Sequence, residues 1–141
     1  MNKIISYRGL LAHTGEDKIL LSTKKGEKGY RITKFELFPK NFNVDDEYNM
    51  QIWKEPGQQT SQVDFSDNRL LAAGYVETVA GAQEGVRSVI VFDQEIVNQD
   101  IYVAMGAQSG NACNYYIELE VIRLSEIEAT VATLKDIRNN Q

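Results

Sequence analysis

The stretch from Asn114 to Leu124 constrains the fold more than any other part of the chain. Tyr115, Ile117, Leu119 and Val121 alternate with Tyr116, Glu118, Glu120 and Ile122. Successive side chains of a strand point to opposite faces, so one face here is apolar and the other carries two glutamates. Sliding the pairing by one residue would bury both carboxylates, so the register is strongly specified. Tyr48, Met50 and Ile52 alternate in the same way with Asn49, Gln51 and Trp53.

Further strand-like runs cover Ile4 to Ala12, Lys18 to Ser22, Tyr30 to Phe38, Gly74 to Val79, Val86 to Phe92 and Ile101 to Met105. Pro39 stops the third of these, because proline cannot donate to a sheet ladder. The β-branched run Val86 to Phe92 reads as a central strand. Asn68 to Ala73 fits either a strand start or a helical turn. Turn signals separate the runs, at His13 to Asp17, Thr23 to Gly29, Gly81 to Gly85 and Gly106 to Gly110. About eight short strands at this spacing predict an all-β chain, a sandwich or small barrel. A single antiparallel β-sandwich of jelly-roll type is the preferred form.

The sandwich is expected over residues 1–124, followed by a C-terminal helix or arm over 125–141. Ser125-Glu126-Ile127-Glu128 fits a helix capping box. Ile127, Val131 and Leu134 follow at helical spacing, with Ile137 near the end, while Thr130 and Thr133 weaken the helix. The largest polar loop runs from Lys54 to Asp67 and is the expected exposed, partner-facing element.

With 141 residues, of which 43% are hydrophobic, the chain can bury a self-supporting core. Its 20 acidic and 15 basic residues give a net charge of -5, which disfavours nucleic acid as a partner. Lys24, Lys25 and Lys28 are balanced by Glu27 and read as a solvated loop. No apolar run is long enough to cross a bilayer as a helix. The N-terminal residues lack the apolar core of a signal peptide, which predicts folding in a reducing cytoplasm.

Catalytic patterns are sparse. His13 is the single histidine and Cys113 the single cysteine, too few soft ligands for zinc. Cys113 reads as a small core residue. There is no Gly-x-Ser-x-Gly nucleophile elbow and no phosphate-cradling glycine loop. Acidic groups such as Asp45-Asp46-Glu47 and Asp64 with Asp67 lack the spacing of a calcium loop. Glu118 and Glu120 have the form of a glycosidase carboxylate pair, yet alternation alone places them on one polar face. The expectation is therefore no metal, no cofactor and no enzymatic activity. Trp53, beside the long loop, is either a core ring or an exposed ring for partner or glycan contact.

Several stretches carry a resemblance. They are Tyr7-Arg8-Gly9-Leu10, Tyr30-Arg31-Ile32-Thr33-Lys34-Phe35, Val91-Phe92-Asp93-Gln94-Glu95, Asn114 to Glu120, and the ending Thr130 to Asn139. Together they span nearly the whole chain, which resembles a family of small β-rich structural proteins of tailed bacteriophages, notably marine ones. The resemblance implies a virion component made in the host cytoplasm. Its expected partners are the major capsid protein or another virion protein, and further copies of itself in a homo-oligomer. A capsid decoration or cement protein is the first expectation. A tail- or fibre-associated protein with glycan contact is the second. The expected contact residues are Trp53, Ile127, Val131, Leu134 and Ile137.

Overall fold

The computed structural model describes residues 3–21, 27–81, 87–106 and 111–123. Among them lie eight strands and no helix: β1 (Lys3–Leu11), β2 (Glu16–Ile19), β3 (Lys28–Pro39), β4 (Asp46–Trp53), β5 (Leu70–Thr78), β6 (Arg87–Phe92), β7 (Ile101–Met105) and β8 (Cys113–Arg123). They form two antiparallel sheets, in the orders β1-β8-β3 and β2-β7-β4-β5-β6. The sheets face each other across one apolar core. Phe35, Ile117 and Leu119 come from the first sheet, and Tyr48, Met50, Ile52, Ile101, Val103 and Met105 from the second. The chain is an all-β sandwich.

β8 sits in the register its alternation demands. It lies between β1 and β3, with Tyr7 opposite Ile117 on one side and Phe35 opposite Ile117 on the other. Tyr115, Ile117 and Leu119 are buried, whereas Tyr116, Glu118 and Glu120 point outward and are half-exposed. A bulge between Ile32 and Lys34 adjusts β3 to its partner, a common device for bending a strand around a core. Pro39 closes β3 where β3 is a sheet edge, so its missing N–H costs no ladder bond.

The adjacencies β1-β8-β3 and β2-β7-β4-β5 are those of a jelly roll. In that fold β6 would close the first sheet beside β3; here it pairs with β5 instead. The expectation that Val86 to Phe92 is a central strand is thereby corrected, since among the described residues β6 is the edge of the five-stranded sheet. β-branched side chains report a pleated surface that packs well, not a position within the sheet. Asn68 to Ala73 resolves as well: Leu70 onward belongs to a single strand, β5, that runs through Gly74 to Thr78.

The sheets are also tied by a polar link. The Tyr115 hydroxyl on β8 donates to Asp17 Oδ2 on β2 at 2.8 Å. Burial first, then the neighbouring carboxylate, pushes this phenol well above its ordinary value, so it stays a donor. A Cβ on Gly9 would lie 2.8 Å from the Tyr115 ring, so only glycine lets β1 pass under it. The C-terminal segment 125–141, with Ile127, Val131, Leu134 and Ile137, lies outside the described residues.

Candidate contact surfaces

The outer face of β4 is covered. Gln51 is 0% exposed and Trp53 4%, because the chain after β4 folds back over them. The Gln51 amide nitrogen donates to the Thr60 carbonyl at 3.2 Å. The backbone N–H of Gly57 donates to Glu16 Oε1 at 2.8 Å. A Cβ on Gly106 would stand 2.4 Å from the Thr60 carbonyl oxygen, so the loop seats directly on backbone.

At the root of the loop, the Lys54 ammonium lies 2.7 Å from Glu95 Oε1, with the two side chains 0% and 5% exposed. Two ions taken out of water so fully hold each other in one geometry. The expectation of an exposed loop over Lys54 to Asp67 is corrected at its root, where Lys54 is buried; Pro56 and Gly57 are exposed, and Glu55 and Gln58 to Thr60 are half-buried. A polar composition is met by partners inside the protein as well as by water. Trp53 joins Leu70 and Ala104 in a small second core, the core placement weighed for it above, and offers no ring to solvent. No local signal pairs Lys54 with Glu95, since they meet only through the sheet order.

The second half of the loop stays outside. Asp64 caps it by accepting from the Ser66 hydroxyl and backbone N–H, and these bonds hold its carboxyl below the ordinary range. Arg69 forks onto both oxygens of Asp67 and lowers that carboxyl likewise. Both acids are thus committed to the loop itself. On either side of Asp64, Val63 and Phe65 are left exposed beside outward Val89 and Val91 of β6. These four line one shallow cleft of about 200 Å³ over Ala73 and Tyr75. Phe65 is 69% exposed and Val89 60%. The β-branched composition of this run, which reads as a central strand, gives no sign that its outward valines are left uncovered.

A second surface lies on the outer face of the three-stranded sheet. Arg8, Leu10, Lys34, Phe38, Asn114 and Tyr116 line a groove of about 600 Å³. The Lys34 ammonium stands 5.8 Å from the Tyr116 ring centroid, within reach of a cation–π attraction. Exposed Phe38 meets Phe42 edge-on at 6.1 Å between centroids, and Leu10 is exposed nearby. The sequence placed Tyr116 on the outward face of its strand, but it gave no sign that these residues share one groove. Cross-strand pairing across β1, β8 and β3, invisible to a linear reading, brings them together.

The remaining sequence candidates take ordinary places. Glu120 accepts from Arg31, and Glu118 accepts from the Tyr116 hydroxyl at 2.8 Å. His13 is exposed in the β1–β2 turn. Cys113 is buried, and burial pushes its thiol up to about 12. Asp45, Asp46 and Glu47 line an open cleft with Glu77, and Asp45 accepts from the Ala80 N–H at 2.7 Å. Among the described residues no group of three His, Cys, Asp or Glu is placed to hold a metal ion.

No protein-family model matches the chain, and no curated protein matches it. Among solved structures it is similar to the mitogen derived from Yersinia pseudotuberculosis, with 15% identity over 89% of this chain and 92% of that one, at a TM-score of 0.37. It is also similar to a chain of the disulfide-linked pili that form Bacillus endospore appendages, with 9% identity over 89% and 92% of the two chains, at a TM-score of 0.34. A periplasmic inhibitor of g-type lysozyme from Aeromonas hydrophila matches with 10% identity over 86% and 88%, at a TM-score of 0.33. Likeness this remote carries no argument about function.

Proposed function

We propose that the chain is a structural protein of a tailed-phage particle, a decoration or cement subunit that binds the shell in many copies. One observation carries the binding reading: large apolar side chains are left exposed in two groups on opposite outer faces of the sandwich, at Leu10, Phe38 and Phe42 and at Phe65, Val89 and Val91. Grouped apolar surface on a folded domain marks contact sites, whereas single exposed residues are ordinary. The phage context rests on the resemblance of the sequence. In this reading the partner is the major capsid protein or another virion protein, the place is the virion, and the chain is not an enzyme. Engagement of Glu118 by Tyr116 and of Glu120 by Arg31 supports the last point. The apolar tail residues Ile127, Val131, Leu134 and Ile137 would add contacts.

Quantitative mass spectrometry of purified particles tests the reading. Copies on the scale of the capsid protein are expected, and Phe38→Asp should reduce incorporation while the domain still folds. Absence from the particle overturns it. A tail or fibre position with glycan contact is the second reading, favoured by the groove over Tyr116. It predicts heat on titration with host polysaccharide that Tyr116→Ala removes, and Trp53 has no part in it.

A further inference from the structure

Among the described residues no strand pairs with the outer edge of β6, and that edge is built to pair with itself. β5 and β6 pair with Ala73 opposite Val91 and Glu77 opposite Arg87, and the ladder continues where the Asp93 N–H donates to the Leu71 carbonyl at 2.8 Å. In an antiparallel ladder alternate residues turn their N–H and C=O to the same neighbour. Arg87, Val89, Val91 and Asp93 therefore bond toward β5, and Ser88, Ile90 and Phe92 turn theirs toward the open edge. The side chains of the first set point outward: Arg87, Val89, Val91 and Asp93 are all exposed.

Natural sheets protect such an edge with lysine, proline, a bulge or a covering loop. β6 has no lysine or proline, and no register shift interrupts its pairing with β5. Its one charge, Arg87, closes no ion pair among the described residues. Asp93 uses Oδ1 to accept the Glu95 N–H and is exposed.

We propose that two copies of the chain associate through β6, antiparallel about a two-fold axis at Ile90, joining two five-stranded sheets into one. This register sets Ile90 opposite Ile90, Ser88 opposite Phe92, and Val89 opposite Val91. It also sets Arg87 of each copy opposite Asp93 of the other. A two-fold interface must be self-complementary, and this register satisfies three demands together. The edge groups of Ser88, Ile90 and Phe92 meet as hydrogen-bonded pairs, and the valines form an apolar centre continuous with Val63 and Phe65. Two opposite-charge pairs flank that centre. Moving the strands by one residue places valines opposite inward side chains, and moving them by two loses both Arg87–Asp93 pairs. The inference goes beyond shell binding and stands without it, because it concerns the isolated chain.

Sedimentation equilibrium of the full chain, with circular dichroism to verify folding, tests it. The wild type is expected to dimerise. Val89→Lys, an outward change that leaves the core alone, should give a folded monomer. Arg87→Asp and Asp93→Arg should each raise the dissociation constant at least about tenfold. Mixing those two variants should restore association as a heterodimer, because every facing pair is then of opposite sign. A monomeric wild type, a Val89→Lys chain that still dimerises, or a mixture no tighter than its components would each overturn the proposal.

Discussion

Tyr48, Met50 and Ile52 on the inner face of β4, and Gln51 and Trp53 on its outer face, are comparably dry, yet the two sides are closed by different means. Inside, two sheets meet through aliphatic and aromatic side chains that need no particular partner atom. Outside, a loop is held down by a buried ion pair, a side-chain amide on a carbonyl and a glycine that admits the backbone. The inner layer gains from area, which is additive and forgiving. The outer layer depends on direction: among the described residues, Gln51 Oε1 and Trp53 Nε1 are buried with no protein hydrogen-bond partner. Equal burial therefore conceals unequal security. The inner layer should open with the whole protein, and the outer one ahead of it.

Phe35→Ala should produce the largest loss, about 3–5 kcal/mol in chemical denaturation, because a ring 1% exposed is removed from the inner layer. A loss below about 1 kcal/mol would mean the sheets do not meet there. Lys54→Met should cost about 3 kcal/mol, since Glu95 loses its cation in a dry site. Adding Glu95→Leu should recover most of that cost; a double variant as weak as the single would show that the pair is not what closes the outer layer. Gly106→Ala should cost about 1–3 kcal/mol by pressing on Thr60. It should also speed proteolytic cutting within 54–67 while leaving hydrogen exchange in β8 unchanged, which is the sharpest separation of the two layers.

The smallest effect is a titration. Burial raises the Cys113 thiol from 9.0 to about 12. A raised folded-state value favours the protonated form, so this contribution to stability is full below the unfolded thiol's value and fades as pH rises toward 12. At pH 9.5, iodoacetamide should therefore alkylate Cys113 only as fast as the inner layer opens. Rapid labelling of the folded chain would place Cys113 outside that layer.

How much of this was legible beforehand depended on whether the signal was local. The alternation around Ile117 and Leu119 fixed face and register because a one-residue error would bury Glu118 and Glu120. The alternation of Tyr48, Met50 and Ile52 named the inner face correctly. The same pattern was silent about the outer face, since Gln51 and Trp53 are covered by residues whose polar composition resembles that of a free loop. Edge and centre were confused at β6 because Val89 and Val91 look alike whether a neighbouring strand or solvent lies beside them. The grouping of Leu10, Phe38 and Tyr116 was beyond a linear reading, because it is assembled from three strands distant along the chain.

The central place of β8 has a consequence for synthesis. β1 and β3 lie on either side of a strand that the ribosome makes last among those described. Until Cys113–Arg123 has been made, both exist without the partner that separates them, so the three-stranded sheet cannot assemble before then. Such long-range pairing folds slowly and leaves strand edges open meanwhile. A chain interrupted before Cys113 should be insoluble rather than partly folded.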